Sequence, residues 1–413
     1  MSPSAIVRLA VSIAVTVSIF WLSTRETFVE NGLAPPFAAV VVFSLFFVML
    51  RTGVSLRDLV GSFAMALVFW ALDVRFLGYQ AGWGLYLSFL GLAGLILMAY
   101  RVIWREGEKR RLALYALASA LLFVGADACS APFLDWTSKA HPLVLDLYLY
   151  SFDASLRLQI PFLMGQLFEH SLVFAMVSFL VYWGLPIAIG MAFAGCLMSD
   201  RKRALPILVA TLIAGPLGVI CYNLYPALGP VHLFAERFPW HPLTSGQARR
   251  LFLEPVALAG YRNAIPSLHA AWMYLVCWYM RRLSILEKAG AAFFLFFTLC
   301  FTMGRGEHYF IDLIVALPFT IFVLALTNLL LGKEHRALVV PLLVGLGTTL
   351  GWLVALRYAI RTFWISPLIP WVACLLTVVV SLWAGKKLLL LEREPGASAK
   401  TLLVGVLAEG LRE

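Results

Sequence analysis

Runs of apolar residues long enough to cross a bilayer recur along almost the whole chain, and that repetition leaves few folds open. They cover roughly 4 to 21, 34 to 50, 58 to 74, 82 to 100, 112 to 128, 171 to 197, 203 to 223, 267 to 280, 289 to 303, 309 to 331, 337 to 356 and 366 to 385. Inside hydrocarbon, backbone polar groups must be satisfied within the segment itself, so runs of this length read as helices. The expectation is an all-α polytopic membrane protein with about twelve transmembrane helices. Composition agrees, since 62% of the 413 residues are hydrophobic and only 13% are charged, with a mean hydropathy of +0.89. No soluble domain has such a balance. The first run has no small-residue cleavage site after it, so it reads as a retained helix.

Lysine and arginine set the orientation, because short cytoplasmic loops keep positive charge during insertion. The clusters at Arg51 and Arg57, Arg101 to Arg111, Arg201 to Arg203, Arg281 to Lys288, Lys333 and Arg336, and Lys386 to Arg393 all fall on one side of the span count. Both termini then face the cytoplasm, and the connections 129 to 170, 224 to 266 and 304 to 308 face outwards. Short loops and the lack of eukaryotic sorting signals suggest a bacterial inner membrane, with an outer face in the periplasm. The net charge of +10 is what a cytoplasmic collar against anionic lipid produces, so no nucleic-acid partner is expected. The six cysteines show no close pairing, and no Walker loop, dinucleotide fingerprint, HExxH or CxxC occurs. Neither a metal nor a cofactor is therefore expected.

Three regions follow: accessory helices over 1 to 153, a chemistry-bearing core over 154 to 331, and two further helices with a cytoplasmic tail over 332 to 413. The boundary near Asp153 lies in a stretch, 143 to 168, whose mixture of apolar and charged residues suggests a helix lying in the membrane interface. The Pro- and Gly-containing connection 224 to 266 suits an ordered external cap, and 398 to 411 reads as a short surface helix. No internal repeat stands out, although twelve spans keep an inverted-repeat transporter or flippase as a rival reading, with Asp73, Asp127 and Glu169 as its polar groups.

Ionisable residues at membrane depth are costly and tend to mark function. Two segments carry them, AIPSLHAAW at 264 to 272 and GRGEHYFID at 304 to 312. About one helix, a short basic loop and a second helix separate them, so the chain crosses twice and both segments face the same side. His308 and Asp312 stand four apart and share a helical face, so the carboxylate can accept a proton from one imidazole nitrogen while the other acts as nucleophile. Attack on phosphorus would give a phosphohistidine, and the departing oxygen needs a proton from a separate acid, for which His269 is the candidate. Ser267, backbone amides after Pro266, Arg262 and Arg305 are candidates to hold the phosphoryl oxygens, and Tyr309 adjoins the nucleophile. Plainer roles exist: Ser267 can be an N-cap, and Arg262 and Arg305 can anchor at lipid headgroups. The joint occurrence of two histidines and an aspartate on neighbouring segments favours chemistry. His141, His170, His232 and His241 read as structural or capping residues.

PSLHAAW and GEHYFID resemble the second and third signature motifs of the type 2 phosphatidic acid phosphatase superfamily, and most closely its inositol phosphorylceramide synthase branch, which has Ser-Leu-His in place of Ser-Gly-His. CYNLYPALGP, at 221 to 230, is similar to that branch's upstream Tyr- and Pro-rich signature. The resemblance covers roughly 155 to 331. It implies His308 as nucleophile, Asp312 as its partner and His269 as acid, on a core of about six helices whose pocket opens sideways to lipid. The phosphatases' Lys-x6-Arg-Pro motif is absent, and Thr302 stands where they usually have arginine six residues before the nucleophile. The phosphate must then be held by other groups, with Arg305, Arg262, Tyr222 and Tyr225 as candidates. The expected activity is metal-independent transfer of an inositol phosphate-like headgroup from a donor phospholipid to a lipid hydroxyl such as that of a ceramide or polyprenol. A lipid phosphate phosphatase is the alternative.

Overall fold

The computed structural model describes residues 3–23, 36–77, 83–199, 201–333 and 335–391. The described chain is almost wholly helical. In order it forms α1 (Pro3–Ser23), α2 (Pro36–Arg51), α3 (Leu56–Leu72), α4 (Trp83–Trp104), α5 (Gly107–Ala140), α6 (Asp146–Ser155), α7 (Ile160–His170), α8 (Leu172–Trp183) and α9 (Leu185–Ser199). There follow α10 (Arg201–Leu224), α11 (Pro230–Phe234), α12 (Ser245–Arg249), α13 (Leu268–Met280), α14 (Ile285–Gly304), α15 (Phe310–Leu330), α16 (His335–Tyr358) and α17 (Leu368–Leu391).

The all-α expectation holds, and the count of about twelve spans is not reached among the described residues. Among the described residues, seven helices are long and apolar enough to cross a membrane: α4, α5, α10 and α14 to α17. The bent pair α7 and α8, at 115° to one another, makes an eighth if it counts as one broken span. The difference is one of helix length. A helix rises 1.5 Å per residue, so crossing ~30 Å takes about 20 residues. The run at 267 to 280 gives only the 13 residues of α13, α2 has 16, α3 has 17, and the run 171 to 197 breaks at Gly184 into α8 and α9.

The chain divides into two compact units, each discontinuous in sequence. One comprises Met1–Ala131, Trp183–Leu208 and Tyr279–Ala291, the other Pro132–Tyr182, Val209–Trp278 and Ala292–Glu413. In the first, α2 and α4 pack along one another and bury Val42, Leu45, Met49, Phe89, Ala93 and Ile96. Between apolar helices in lipid, such packing acts through close van der Waals contact more than through the hydrophobic effect. Ser55 and Asp58 form a reciprocal capping box at the start of α3, and Asp58 also takes Arg101 at 3.0 Å. Arg51 pairs with Glu287 in the same unit. Two of the collar arginines are thus held by acids of their own chain.

The second unit carries both histidine segments. Here α15 packs closely on α16, and α17 lies against both. A two-residue antiparallel ladder, Leu143 opposite Ala257 and Val144 opposite Val256, ties the stretch after α5 to the loop before α13. The connection 224 to 266 is ordered by α11, α12 and this ladder, with Thr244 and Gln247 forming a capping box on α12. The stretch 143 to 168 differs from the interfacial helix read from its sequence. It folds as α6 and the greater part of α7, and nine of the ten α6 residues are buried. Its acids are buried because backbone donors meet them, as described below. The surface helix expected at 398 to 411 lies outside the described residues.

Candidate active site

Helix α14 ends at Gly304, and the chain turns through Gly306 at a φ of 73°, a left-handed conformation that glycine adopts without steric cost. The amides of Glu307 and His308 both donate to the Thr302 carbonyl at 3.1 Å, which closes the end of the helix and fixes the backbone of His308. The Thr302 hydroxyl turns inward to the Leu299 carbonyl at 3.0 Å. This residue therefore braces the turn and offers no replacement for the phosphatases' arginine.

The His308 Nδ1 lies 2.9 Å from the Ala264 carbonyl and 3.5 Å from Asp312 Oδ2. A carbonyl only accepts, so the network assigns the proton to Nδ1 and the lone pair to Nε2. The carbonyl is the better placed acceptor, and the carboxylate four residues on is at the limit of a hydrogen bond. Asp312 Oδ2 also accepts the Tyr309 amide at 2.8 Å, and the Asp312 carbonyl accepts the Ser267 amide at 3.2 Å. Asp312 thus joins the two segments that the sequence pairs. Ser267 caps α13, its Oγ accepting from the Ala270 amide at 3.4 Å, and His269 follows in the first turn. The His269 and His308 rings stand 6.5 Å apart between centroids at 63°. One phosphoryl group can reach both at that separation. His269 stacks on Tyr182 at 4.4 Å, and its Nδ1 lies 3.3 Å from the Tyr182 hydroxyl.

Two acids that carry no role in the sequence reading hold this arrangement. Asp146 accepts the amides of Leu228 at 3.0 Å and Gly229 at 2.9 Å and the Tyr309 hydroxyl at 3.1 Å. Asp153 accepts the amides of Phe310 at 2.7 Å and Ile311 at 3.2 Å. With Asp312 on Tyr309, the first amides of α15, left without helical partners, all find carboxylate oxygens. Asp146 and Asp153 are seven residues apart on α6, two turns along one face. That spacing is the signal by which an inward role could have been found. The Gly229 loop lies so close behind His308 that a Cβ there would sit 2.4 Å from the Glu307 carbonyl oxygen. Gly229→Ala should cost about 2 to 3 kcal/mol, because the obstacle is backbone and no rotamer relieves it. Thermal unfolding of the detergent-solubilised protein checks this, and an unchanged midpoint would contradict it.

The remaining candidates divide. Arg262 is buried, and its guanidinium donates to four carbonyls: His141 at 2.8 Å, Pro142 and Leu258 at 3.2 Å each, and Gly260. It straps the loop before α13, and four of its donations go to that loop and its neighbours. Arg305 is exposed on the turn after α14. Tyr222 donates to the Pro266 carbonyl at 3.3 Å, and Tyr309 is taken up by Asp146. Tyr225 is buried, and its hydroxyl has no hydrogen-bond partner among the described residues. His141 contacts Asn223 at 3.1 Å, and His170 contacts the Gln166 carbonyl at 2.7 Å, as befits structural residues.

Burial pushes the His308 imidazole down from 6.5 to about 4, against the opposing pull of the Glu307 carboxylate and the Ala264 carbonyl. The ring is then neutral, and nucleophilic, throughout the neutral range. Because the folded value lies below the unfolded one, the stability this group contributes is complete above about 6.5 and is lost as pH falls from there towards 4. His308→Gln should flatten the acid side of a plot of melting temperature against pH between those values. An equally steep acid limb in the variant would assign the loss to other groups.

A family model described as PAP2 superfamily matches residues 147–326. Phosphatases and phosphotransferases make up that superfamily. No curated protein and no solved structure matches the chain.

Proposed function

We propose that this is a membrane-embedded lipid phosphotransferase, moving an inositol phosphate-like headgroup from a donor phospholipid to a lipid hydroxyl through a phosphohistidine on His308. The observation that carries the reading is the facing pair of imidazoles, 6.5 Å apart, with Asp312 joining the segments that bear them. Nε2 of His308 attacks phosphorus, and the bond from phosphorus to the diacylglycerol oxygen breaks. His269 gives that oxygen its proton and diacylglycerol departs. His269, now neutral, takes the proton of the acceptor hydroxyl, whose oxygen attacks phosphorus as the N–P bond breaks. His308 is then restored. The negative charge of the substrate phosphate between the rings favours the protonated form of His269 that the first step needs.

Transfer is favoured over hydrolysis by the burial of His308, which is 3% exposed in a chain built to sit among lipids. The reading places the chemistry on a core of about six helices within 154 to 331, at the periplasmic side of a bacterial inner membrane with both termini in the cytoplasm. The test is incubation of the purified protein with headgroup-labelled phosphatidylinositol and ceramide. A labelled second lipid supports the proposal; release of labelled inositol phosphate makes the protein a headgroup hydrolase, and release of inorganic phosphate from phosphatidic acid offered in its place makes it a lipid phosphatase. None of these products, with lipid moving between leaflets, returns the transporter reading.

A further inference from the structure

We propose that Arg357 and the Tyr225 hydroxyl form the anion subsite that receives the substrate phosphate, an assignment that rests on the phosphotransfer reading above. Two independent arrangements bring Arg357 to the level of His308. The first is helix register. Gly345 of α16 lies so close to α15 that a Cβ would fall 2.4 Å from the Phe322 amide nitrogen. Helices α15 and α16 are consecutive, joined by a short connection, and run antiparallel. Twelve residues from that crossing towards the start of α15 is Phe310, and twelve towards the end of α16 is Arg357. At the same rise per residue on both helices, Arg357 stands level with the residue two after His308. The second is a direct contact. The Arg357 guanidinium carbon lies 4.8 Å from the centre of the Tyr148 ring, on α6, the helix whose Asp146 accepts the Tyr309 hydroxyl.

What points to a ligand is the state of the donors. Arg357 Nη1 and the Tyr225 hydroxyl are both buried, and neither has a hydrogen-bond partner among the described residues. Buried donors without acceptors are costly to leave so, and a planar guanidinium suits phosphate oxygens. Asp146, the nearest anion by sequence to Tyr148, is already met by two amides and the Tyr309 hydroxyl. Burial holds the Tyr225 phenol well above its ordinary value, and the Arg357 guanidinium opposes that shift against the carboxylates of Asp146 and Asp312, so the two donors share one field. Arg357 also meets a need the site leaves open, since Arg262 is spent on carbonyls, Arg305 is exposed and Thr302 faces inward. It lies beyond the residues matched to the family, 147–326, which gives the C-terminal helices a part in the site.

The probe is orthovanadate, a phosphate mimic, titrated calorimetrically into the full-length protein in detergent. Arg357→Ala should weaken binding on the order of 10- to 100-fold, and Arg357→Lys should recover only part of it, keeping the charge without the fork. Tyr225→Phe, which removes one oxygen and leaves the ring, should weaken binding about 5- to 10-fold and decides the matter if Arg357→Ala does not fold. Wild-type affinity in Tyr225→Phe and in the folded Arg357 variants overturns the subsite, as does an absence of vanadate binding by the wild type. If the wild type performs neither headgroup transfer nor release, the functional reading falls. If it performs one of them while the variants bind vanadate normally, only the subsite falls.

Discussion

His308→Ala should leave no phosphoenzyme and lower headgroup transfer by on the order of 10⁶-fold, the scale on which an enzyme loses rate when its covalent nucleophile is removed. The expectation follows from how the ring is held. Its Nδ1 is committed to the Ala264 carbonyl, with Asp312 behind, so Nε2 is the nitrogen with a lone pair to offer phosphorus. Alanine keeps the turn, because the backbone of that residue is fixed by the Thr302 carbonyl and not by the imidazole. Rapid quenching after mixing with labelled phosphatidylinositol would trap the intermediate. The label should be stable in alkali and labile in acid, as a phosphorus–nitrogen bond is, and absent from the variant. Full turnover by His308→Ala would remove this residue from the mechanism.

His308 is conspicuous in the sequence because an ionisable group at membrane depth stands out against an apolar background. The sequence places AIPSLHAAW and GRGEHYFID on one face, and the rings stand 6.5 Å apart, although α13 is too short to supply one of the two crossings counted between them. The number of spans was less legible. Hydropathy marks where a run is apolar, not whether its helix continues, and α13, with 13 residues, stops well short of a crossing. The second half of the site was hidden for another reason. Arg262 looks in sequence like any cation beside a motif, and only the folded loop reveals the four carbonyls that use it. Asp146 and Asp153 lie in the stretch whose sequence reads as an interfacial helix, because burial of an acid depends on donors brought from 82 to 163 residues away, at Leu228, Gly229 and Tyr309 to Ile311. Arg357 had no motif around it at all; its place comes from the register of α15 on α16.

The second large effect separates the two jobs given to His269. His269→Ala should slow transfer from phosphatidylinositol by about 10²- to 10⁴-fold, the usual worth of a positioned acid or base. Magnitude alone would not distinguish a proton donor from a ring that merely packs, since this imidazole stacks on Tyr182 and stands edge-on to Trp272 at 6.0 Å. A nitrophenyl ester of the same headgroup makes the distinction, because nitrophenolate departs without protonation. With that donor, His269→Ala should release its first equivalent of nitrophenolate within about tenfold of the wild-type rate, as the phosphohistidine forms unaided. The variant should then stall, because the acceptor hydroxyl still needs a base and the imidazole that faces His308 is gone. A fast burst followed by slow turnover is the pattern expected, read by stopped-flow absorbance in the presence of ceramide. An equal loss of burst and steady state with both donors would make His269 a packing residue and leave the proton to another group.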